Sequence, residues 1–277
     1  MKSLIFALLC AATTIAVAGP ADPKGPAPTA AAGKAQLTWY GHAAFRIDTP
    51  AGKSILIDPW ISNPSNPTGK DDAKSVKADL ILISHGHFDH IGDAVDIGKR
   101  TKAKLVATFD LGNALVGTMG YPKDQYGFDT GGNFGGSVTA LDGEVTITFI
   151  PAVHSSAIGT DPAKAGYGGE PGGFVIAIKN GPTLYHTGDT DLFGDMANVG
   201  KFFKVDYMLS CIGDHFTMGP ARAAEATKLV KAKTVIPMHF GTFPVLTGTV
   251  ADFGKALKAA GASSKLVEMK IGQTLPL

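Results

Sequence analysis

The sequence lacks an excess of charge of either sign. Its 277 residues include 25 lysines and arginines and 24 aspartates and glutamates, so the formal net charge is +1 at pH 7. A balanced charge attracts neither nucleic acid nor an anionic membrane surface, because both of these partners are strongly acidic. We therefore expect no nucleic-acid partner for this protein.

The sequence also lacks an apolar run long enough for a comfortable membrane span, which needs about 20 residues. Residues 4–17 are apolar but short, follow Lys2, and end near the small residues Ala16 and Ala18. A basic start, a short apolar core and a small-x-small ending are typical of a secretory signal peptide. We predict cleavage after residue 18, export to the periplasm or the medium, and no stable membrane insertion afterwards. An uncleaved anchor is the alternative.

Cysteine is scarce, since Cys10 and Cys211 are the two in the chain. Cys10 lies in the predicted signal peptide, residues 1–18, so the exported chain would retain one cysteine and could form no internal disulfide. Its stability must then come from packing and, where a metal is bound, from coordination. Residues 19–35 are rich in proline, alanine and glycine without large apolar side chains, which predicts a flexible tether. One folded domain is expected over residues 36–277.

Short apolar runs alternate with turn residues and helical segments from Gln36 onward. Residues 37–58 predict an antiparallel meander, and the continuously apolar residues 79–84 predict a strand buried on both faces. Further strands are predicted at residues 104–108, 137–141, 145–151, 174–179, 183–186, 205–212, 234–238 and 265–269. Helices are predicted at residues 93–101, 110–119, 192–199, 220–231 and 250–260. Strands that first pair in hairpins and then alternate with helices predict an α/β fold with helices on the outer faces of its sheets.

Three histidines and an aspartate lie within the segment HGHFDH, residues 85–90, directly after an apolar run. A single histidine near a strand end is more often structural, but imidazoles and a carboxylate together are the ligand set of zinc or another borderline divalent ion. One turn cannot surround an ion, so further ligands must come from elsewhere in the chain. The candidates are His154, Asp189 and His239, each of which follows an apolar β-like run.

The order of these residues resembles that of the metallo-β-lactamase superfamily, whose H-x-H-x-D-H signature is matched by HGHFDH. The flanking segments are similar to those of its metal-dependent hydrolase branch, which is related to the bacterial ascorbate-phosphate lactonases. These segments are GHAAF, ILIDPW, HTGDTD, GDHFTMGPARA and PMHFGTFP. The resemblance covers the chain from about Gln36 to its end. It implies a four-layer αβ/βα sandwich, the metallo-β-lactamase fold, with a site for two metal ions at the edge between the sheets.

The resemblance implies two sets of metal ligands: His85, His87 and His154 for one ion, and Asp89, His90 and His239 for the other. Asp189 is implied to bridge the two ions, which we expect to be zinc, with manganese or iron as alternatives. Asp58 matches an aspartate that orients a ligand histidine from behind and so sets its tautomer and ring angle. A strand-end cap before Pro59 is the alternative role for Asp58.

Two divalent ions that share a water lower its pKa and polarise the bond under attack. The resemblance therefore implies a metal-bound hydroxide as the nucleophile, held by Asp189 and oriented by Asp89. The chain accordingly shows no G-x-S-x-G serine nucleophile motif. His215 is the third catalytic candidate, as a proton donor or a substrate contact. Many family members have asparagine at its position, and a plain loop histidine is the alternative.

The expected substrate is a small molecule with an ester, lactone, thioester or phosphodiester bond. Aspartate at position 189 argues against a β-lactamase, and His87 argues against the oxygen-reducing di-iron relatives, which have glutamate there. Arg222 is the one basic residue beside a motif that could hold a phosphate, although a helix-surface arginine is the commoner role. The competing hypothesis is an exported metal- or ligand-binding protein that retains the site without significant turnover.

The sequence also predicts positions for loops and single side chains around the metal centre. Three long loops, residues 61–78, 127–136 and 155–173, are expected to line the pocket. The remaining expectations concern single side chains: Phe88 at the pocket mouth, His42 on the rim, His186 behind Asp189, and Cys211 as a small buried apolar residue. Neither His42 nor His186 is expected to be a ligand.

Overall fold

The computed structural model describes residues 34–159 and 164–277. The predicted signal peptide and most of the predicted tether lie outside the described residues, as do residues 160–163 of the third long loop. Ala35 is 2 % exposed, and its carbonyl oxygen accepts a hydrogen bond from the amide of Leu277 at 2.8 Å. Packing therefore includes Ala35, one residue before the predicted start of the domain.

In the described part of the chain there are sixteen strands. They are β1 (Gln36–Trp39), β2 (Phe45–Asp48), β3 (Ser54–Ile57), β4 (Leu80–Leu82), β5 (Lys104–Thr108), β6 (Gly131–Gly132), β7 (Ser137–Ala140), β8 (Val145–Pro151), β9 (Ala157–Ile158), β10 (Gly166–Tyr167), β11 (Gly172–Ile178), β12 (Thr183–His186), β13 (Tyr207–Cys211), β14 (Thr234–Met238), β15 (Lys265–Leu266) and β16 (Thr274–Pro276).

The same residues form seven α-helices: α1 (Gly69–Ser75), α2 (Phe88–Ile91), α3 (Ala94–Thr101), α4 (Phe109–Ala114), α5 (Met196–Phe202), α6 (Pro220–Val230) and α7 (Val250–Ala260). Pro220 opens α6 at its first turn, where a missing amide hydrogen costs nothing. The Thr249 hydroxyl caps α7 by accepting from the amide of Asp252 at 3.1 Å. Among the described residues no helix has both the length and the apolar character needed to cross a membrane.

Two large sheets organise the described residues, each with seven strands. The first has the order β16-β1-β2-β3-β4-β5-β6, antiparallel from β16 to β3 and parallel from β3 to β6. The second has the order β15-β14-β13-β12-β11-β8-β7, parallel from β15 to β12 and antiparallel beyond. The predicted meander over residues 37–58 is confirmed by the β1–β2 and β2–β3 pairs.

The first sheet is buried on both faces. Ile57 and Leu82 face a core shared with the second sheet, whereas Leu56 and Ile81 face a core formed with side chains of α1 to α4. Successive side chains on a strand point to opposite faces, so both faces of β3 and β4 are covered. This arrangement confirms a strand buried on both faces within residues 79–84, although β4 itself spans only Leu80–Leu82.

The second sheet is covered in the same way. Met208 and Leu209 are consecutive in β13 and therefore point to opposite faces, yet both are fully buried. Buried side chains of α5, α6 and α7 belong to the same core as this sheet. The described chain is thus layered as helices, sheet, sheet and helices, as the sequence predicted.

The structure differs from the predicted elements mainly in the loops. The helix predicted at residues 192–199 is displaced to α5, residues 196–202, and residues 110–119 divide into α4 and a π-helical turn at Leu115–Met119. Each predicted long loop contains a short element that hydrophobic periodicity did not reveal: α1, β6, and the β9–β10 ribbon. These elements are two to seven residues long, too short to show a clear period.

Candidate metal centre

The predicted ligands follow the ends of four strands. β4 runs into the HGHFDH segment, β12 into Asp189, β14 into His239, and β8 into His154. In an α/β sheet the crevice beyond the carboxyl ends of parallel strands is the usual place for a ligand. The candidate ligands that follow β4, β12 and β14 lie at the carboxyl ends of parallel strands.

The HGHFDH segment changes conformation at His87. His87 has extended backbone angles, φ −67° and ψ 147°, and the next residue starts the one-turn helix α2. Asp89 and His90 therefore lie on a helical turn, whereas His85 and His87 precede it and His87 is extended. This change of direction lets one short segment contribute to two clusters of side chains.

The first cluster contains three histidines that the sequence predicted as ligands of one ion. The Nδ1 atom of His87 lies 3.0 Å from Nε2 of His85 and 3.3 Å from Nε2 of His154. The ligand atoms of the three residues all lie within 4.8 Å of one another. Three imidazoles at this spacing could hold a divalent metal ion.

The second cluster contains Asp89, His90 and His239, together with His42, and its ligand atoms also lie within 4.8 Å of one another. The Oδ2 atom of Asp89 is 3.0 Å from Nε2 of His42, 3.6 Å from Nε2 of His239 and 4.0 Å from Nε2 of His90. The structure thus brings the second predicted ligand set together and adds a histidine to it.

Asp189 lies between the two clusters. Its Oδ2 atom is 2.9 Å from Nε2 of His239 and 3.3 Å from Nε2 of His90. The same oxygen is 3.7 Å from Nε2 of His154 and 3.9 Å from Nε2 of His85. One carboxylate oxygen therefore faces side chains of both predicted ligand sets.

Several buried polar atoms at this point have no hydrogen-bond partner among the described residues. They are Nε2 of His90, Nε2 of His239 and Oδ1 of Asp189. The two Nε2 atoms lie 3.3 and 2.9 Å from Oδ2 of Asp189, but outside hydrogen-bond geometry. Buried polar atoms are normally paired, so unpaired atoms that converge on one volume need another partner. Imidazole nitrogens and carboxylate oxygens are donors for zinc and similar ions, and these residues therefore fit a divalent metal.

Burial and mutual charge shift the pKa values of these side chains. Burial, together with the neighbouring His90, lowers the pKa of His85 well below its ordinary value. Burial opposes ionisation of Asp89, but the positive charge of His90 and the contacts with His239 and His42 together outweigh burial and lower the pKa of Asp89. Burial likewise opposes protonation of His239, yet the charge of Asp189 raises its pKa to about 9. A divalent ion would displace the proton of His239, so metal binding would release protons.

Asp58 lies behind the ligands and contacts two residues. It is fully buried, with a left-handed φ of 44°, and its Oδ2 atom is 2.8 Å from Nδ1 of His90. Its carboxylate also accepts from the amide of Ser84 at 2.7 Å and from the Ser84 hydroxyl at 2.6 Å. This is the position that the predicted orienting role of Asp58 requires.

Ser84 extends that arrangement to a second histidine. Its Oγ atom lies 3.0 Å from Nδ1 of His85. Because the hydroxyl proton of Ser84 goes to Asp58, the ring of His85 donates from Nδ1 and leaves the Nε2 lone pair for a metal. Ser84 was not among the predicted site residues, although its position directly before HGHFDH is a signal that could have identified it.

His42 is buried rather than on the rim, contrary to the expectation from sequence. It is 1 % exposed, and its Nδ1 atom is 2.9 Å from the hydroxyl of Thr242. Burial lowers the pKa of His42 to about 4, so its imidazole is neutral. An ionised Asp89 only accepts, so His42 donates from Nε2 to Asp89 and accepts at Nδ1 from Thr242. His42 therefore fixes one oxygen of the Asp89 carboxylate.

The other histidines lie outside these clusters. His186 is fully buried, with Nε2 3.1 Å from the carbonyl oxygen of Ala43 and Nδ1 3.1 Å from the amide of Gly188. His215 is exposed and packs edge-to-face on Phe216, with ring centroids 4.5 Å apart. His215 belongs to none of the metal-binding groups found among residues 34–159 and 164–277, and its catalytic role stays a prediction.

Two further predicted residues have defined surroundings. Arg222 forms an ion pair with Asp191, two residues after Asp189, so its guanidinium is already engaged. Cys211 is fully buried at the end of β13, as expected. Its sulfur lies 3.6 Å from the carbonyl oxygen of Thr190.

Residues 36–239 match the family model described as Beta-lactamase superfamily domain. The chain belongs to the metallo-β-lactamase superfamily. A UPF0173 metal-dependent hydrolase from Thermodesulfovibrio yellowstonii is 55 % identical over 280 residues, which cover 100 % of both chains. A UPF0173 metal-dependent hydrolase from Anaeromyxobacter sp. (strain K) is 56 % identical over 232 residues, 83 % of this chain and 84 % of the relative.

The solved structure of Igni18, a metallo hydrolase from Ignicoccus hospitalis, has a TM-score of 0.73 and is 36 % identical. The match covers 88 % of this chain and 98 % of Igni18. The predicted superfamily, its metal-dependent hydrolase branch and the four-layer fold are therefore confirmed. This member of the superfamily is a metal-dependent hydrolase, with histidine and aspartate groups that could bind the metal.

Proposed function

We propose that the protein is an exported hydrolase with two divalent ions, most simply zinc, that uses water to cleave an ester, lactone or phosphodiester bond of a small molecule. One observation carries the two-ion proposal. Oδ2 of Asp189 lies within 3.9 Å of four histidine Nε2 atoms, two from each predicted ligand set. A carboxylate in this position can hold both ions at once.

Two divalent ions, when bound, lower the pKa of a water and polarise the bond under attack. The residues of this chain would bind the two ions and hold the metal ligands in position. His85, His87 and His154 would hold one ion, and Asp89, His90 and His239 the other. Asp189 would contact both ions.

Hydrogen bonds from behind restrict the movement of these ligands. Asp58 and Ser84 keep the Nε2 atoms of His90 and His85 directed at the cluster, and His42 holds one oxygen of Asp89. Asp89 would then orient the attacking water. His215 lies on the loop after β13. The amide of Met218 in this loop donates a 3.0 Å hydrogen bond to the carbonyl oxygen of Thr190. From there His215 would contact the substrate or donate a proton to the leaving group.

Metal content tests the bridge. Mass spectrometry should find about two zinc ions per chain in the zinc-loaded protein, and fewer in Asp189→Asn. Asp191→Asn is a matched control, because it removes an exposed carboxylate two residues away that pairs with Arg222. Retention of both ions by Asp189→Asn would show that Asp189 is not the bridge.

Turnover tests the reaction. Zinc-loaded protein should hydrolyse at least one class among generic esters, lactones and phosphodiesters, and chelation should abolish the activity. Turnover that survives complete removal of metal would contradict the proposal. One tightly held ion with no turnover on any class would favour the metal- or ligand-binding alternative.

Export is supported by the sequence of residues 1–18, with its basic start, apolar core and small-x-small ending. N-terminal sequencing of the protein recovered outside the cytoplasm should begin at Gly19. An intact Met1 on that protein would contradict signal cleavage.

A further inference from the structure

Three aromatic side chains from three separate segments meet beside Asp89. Trp60 follows β3, Phe88 begins α2, and Phe243 follows β14. The ring centroid of Trp60 lies 5.5 Å from that of Phe88 and 5.8 Å from that of Phe243. The rings of Phe88 and Phe243 are 6.5 Å apart. We call these three residues the aromatic wall.

The aromatic wall adjoins the metal centre through His42. The His42 ring is 5.4 Å from that of Trp60 and 5.9 Å from that of Phe243, edge to face in both cases. The same ring contacts Asp89 through Nε2 at 3.0 Å. A molecule whose reacting bond lies at Asp89 would therefore place an adjoining group against the wall.

The wall is open to solvent and yet held in place. Phe88 is 54 % exposed, and Trp60 and Phe243 are partly exposed. A Cβ atom at Gly92 would lie 2.3 Å from Cδ1 of Trp60, so the indole packs directly on the backbone at the end of α2. Exposed aromatic surface is unfavourable in water, and a contiguous patch of it marks a site of interaction.

The charged groups beside the wall favour an uncharged partner. Among the described residues, the ion-pair partners of Asp89 and Asp189 within 4.0 Å are all histidines. The guanidinium of Arg222, the basic group closest in sequence to a motif, pairs with Asp191. Apart from the proposed metal ions, these contacts offer no arginine to hold the charged oxygens of a phosphodiester, whereas an uncharged ester needs none.

We infer that the aromatic wall binds the apolar acyl group of an uncharged carboxylic ester, open or cyclic, and so selects this substrate class over phosphodiesters. The inference rests on the hydrolase function proposed above. Hydrolysis of such a bond adds the oxygen of water to the acyl carbon and breaks the acyl–oxygen bond. The alcohol takes one proton from the water, and the other leaves as the acid ionises to a carboxylate.

The preference for longer acyl chains tests whether the aromatic wall binds the acyl group. We would compare 4-nitrophenyl acetate, 4-nitrophenyl hexanoate and bis(4-nitrophenyl) phosphate on the zinc-loaded full chain. The kcat/KM for the hexanoate should exceed that for the acetate by about tenfold, since added methylenes in an apolar site give gains of this order. The phosphodiester should be the poorest substrate of the three.

The variant Phe88→Ala should lose most of the preference for hexanoate over acetate, measured as the ratio of the two kcat/KM values. Phe202→Ala is the matched control, because Phe202 is 69 % exposed at the end of α5 and belongs to neither the wall nor the metal centre. An unchanged chain-length preference in Phe88→Ala, or a phosphodiester hydrolysed best, would overturn the inference.

A binding measurement separates this inference from the proposed function. Titration of the metal-free protein with 2-octanone, an uncharged ketone that cannot be hydrolysed, should quench tryptophan fluorescence saturably, and Phe88→Ala should not show saturation. If no test compound is hydrolysed, the proposed function fails for these bonds. The ketone titration still shows whether the aromatic wall binds an apolar group. Quenching without saturation in the unchanged protein would overturn the inference.

Discussion

Asp58 controls two of the candidate ligands, His90 directly and His85 through Ser84. A histidine ligand must present a lone pair, and the partner of its other nitrogen decides which nitrogen that is. In both residues Nδ1 is engaged from behind, at 2.8 Å in His90 and 3.0 Å in His85, which leaves Nε2 directed at the cluster. The residue types identify the candidate ligands, but these hydrogen bonds determine which atom of each faces the metal.

His42 provides a test of how strongly such contacts affect metal binding. We expect His42→Ala to weaken binding of the ion held by Asp89 by about 10- to 100-fold, because the carboxylate loses the donor that holds it. Competition with a chelator of known affinity measures the change. Thr242→Val, which leaves the His42–Asp89 contact intact, should have a smaller effect. Unchanged metal affinity in His42→Ala would contradict the positioning role.

The helices of the first layer are held to their sheet by close contacts as well as by apolar faces. In α3, a Cβ atom at Gly98 would lie 2.6 Å from the ring of Tyr121. Tyr121 is buried, and its hydroxyl donates to the carbonyl oxygen of Ala103 at 2.8 Å, so the ring has little freedom to move. Glycine at position 98 is therefore needed for packing, although glycine normally weakens a helix.

This contact predicts that substitution by alanine destabilises the protein at Gly98 and has little effect at Gly117. Gly98→Ala should lower the free energy of unfolding by about 1–3 kcal/mol through overpacking against Tyr121. Gly117→Ala is the control, because a Cβ atom there meets nothing within 4 Å. It should leave the free energy of unfolding within about 0.5 kcal/mol. Urea denaturation curves measure both, and equal midpoints for the two variants would contradict the prediction.

The candidate centre combines residues from both halves of the molecule. His85 to His90 follow a strand of the first sheet, whereas His154, Asp189 and His239 follow strands of the second. The two sheets share one buried core, which holds these strand ends at a common edge. A change that loosens the packing of the sheets should therefore affect the centre even when every ligand is present.

The reactivity of the Cys211 thiol measures how well the core of the folded domain excludes solvent. Burial raises the pKa of its thiol to about 11, so the reactive thiolate is scarce at pH 7 to 9 and becomes abundant only above that range. We expect the peptide containing Cys211 to remain unlabelled by iodoacetamide across pH 7 to 9 and to be labelled in full in urea. Mass spectrometry of the digested protein measures the labelling. Rapid labelling at pH 8 without denaturant would contradict the buried environment.

The strand over residues 79–84 and the candidate ligands could be predicted from the sequence. A continuous apolar run at a strand position requires cover on both faces, and imidazole and carboxylate donors are properties of the residue types themselves. The short elements α1, β6, β9 and β10 could not be predicted, because their lengths are below the range in which periodicity is informative.

The roles of His42 and Ser84 depended on folding. His42 has a left-handed φ of 50°, and its carbonyl oxygen accepts from the amide of His239 at 3.1 Å, a residue almost two hundred positions away. Such a turn is stabilised by contacts between distant segments, which a reading of local sequence cannot contain. The metal-binding chemistry could therefore be predicted from the sequence alone, because it depends on the residue types. Asp58 was implied by the resemblance, but the orienting contacts of His42 and Ser84 became visible only once the two sheets were packed together.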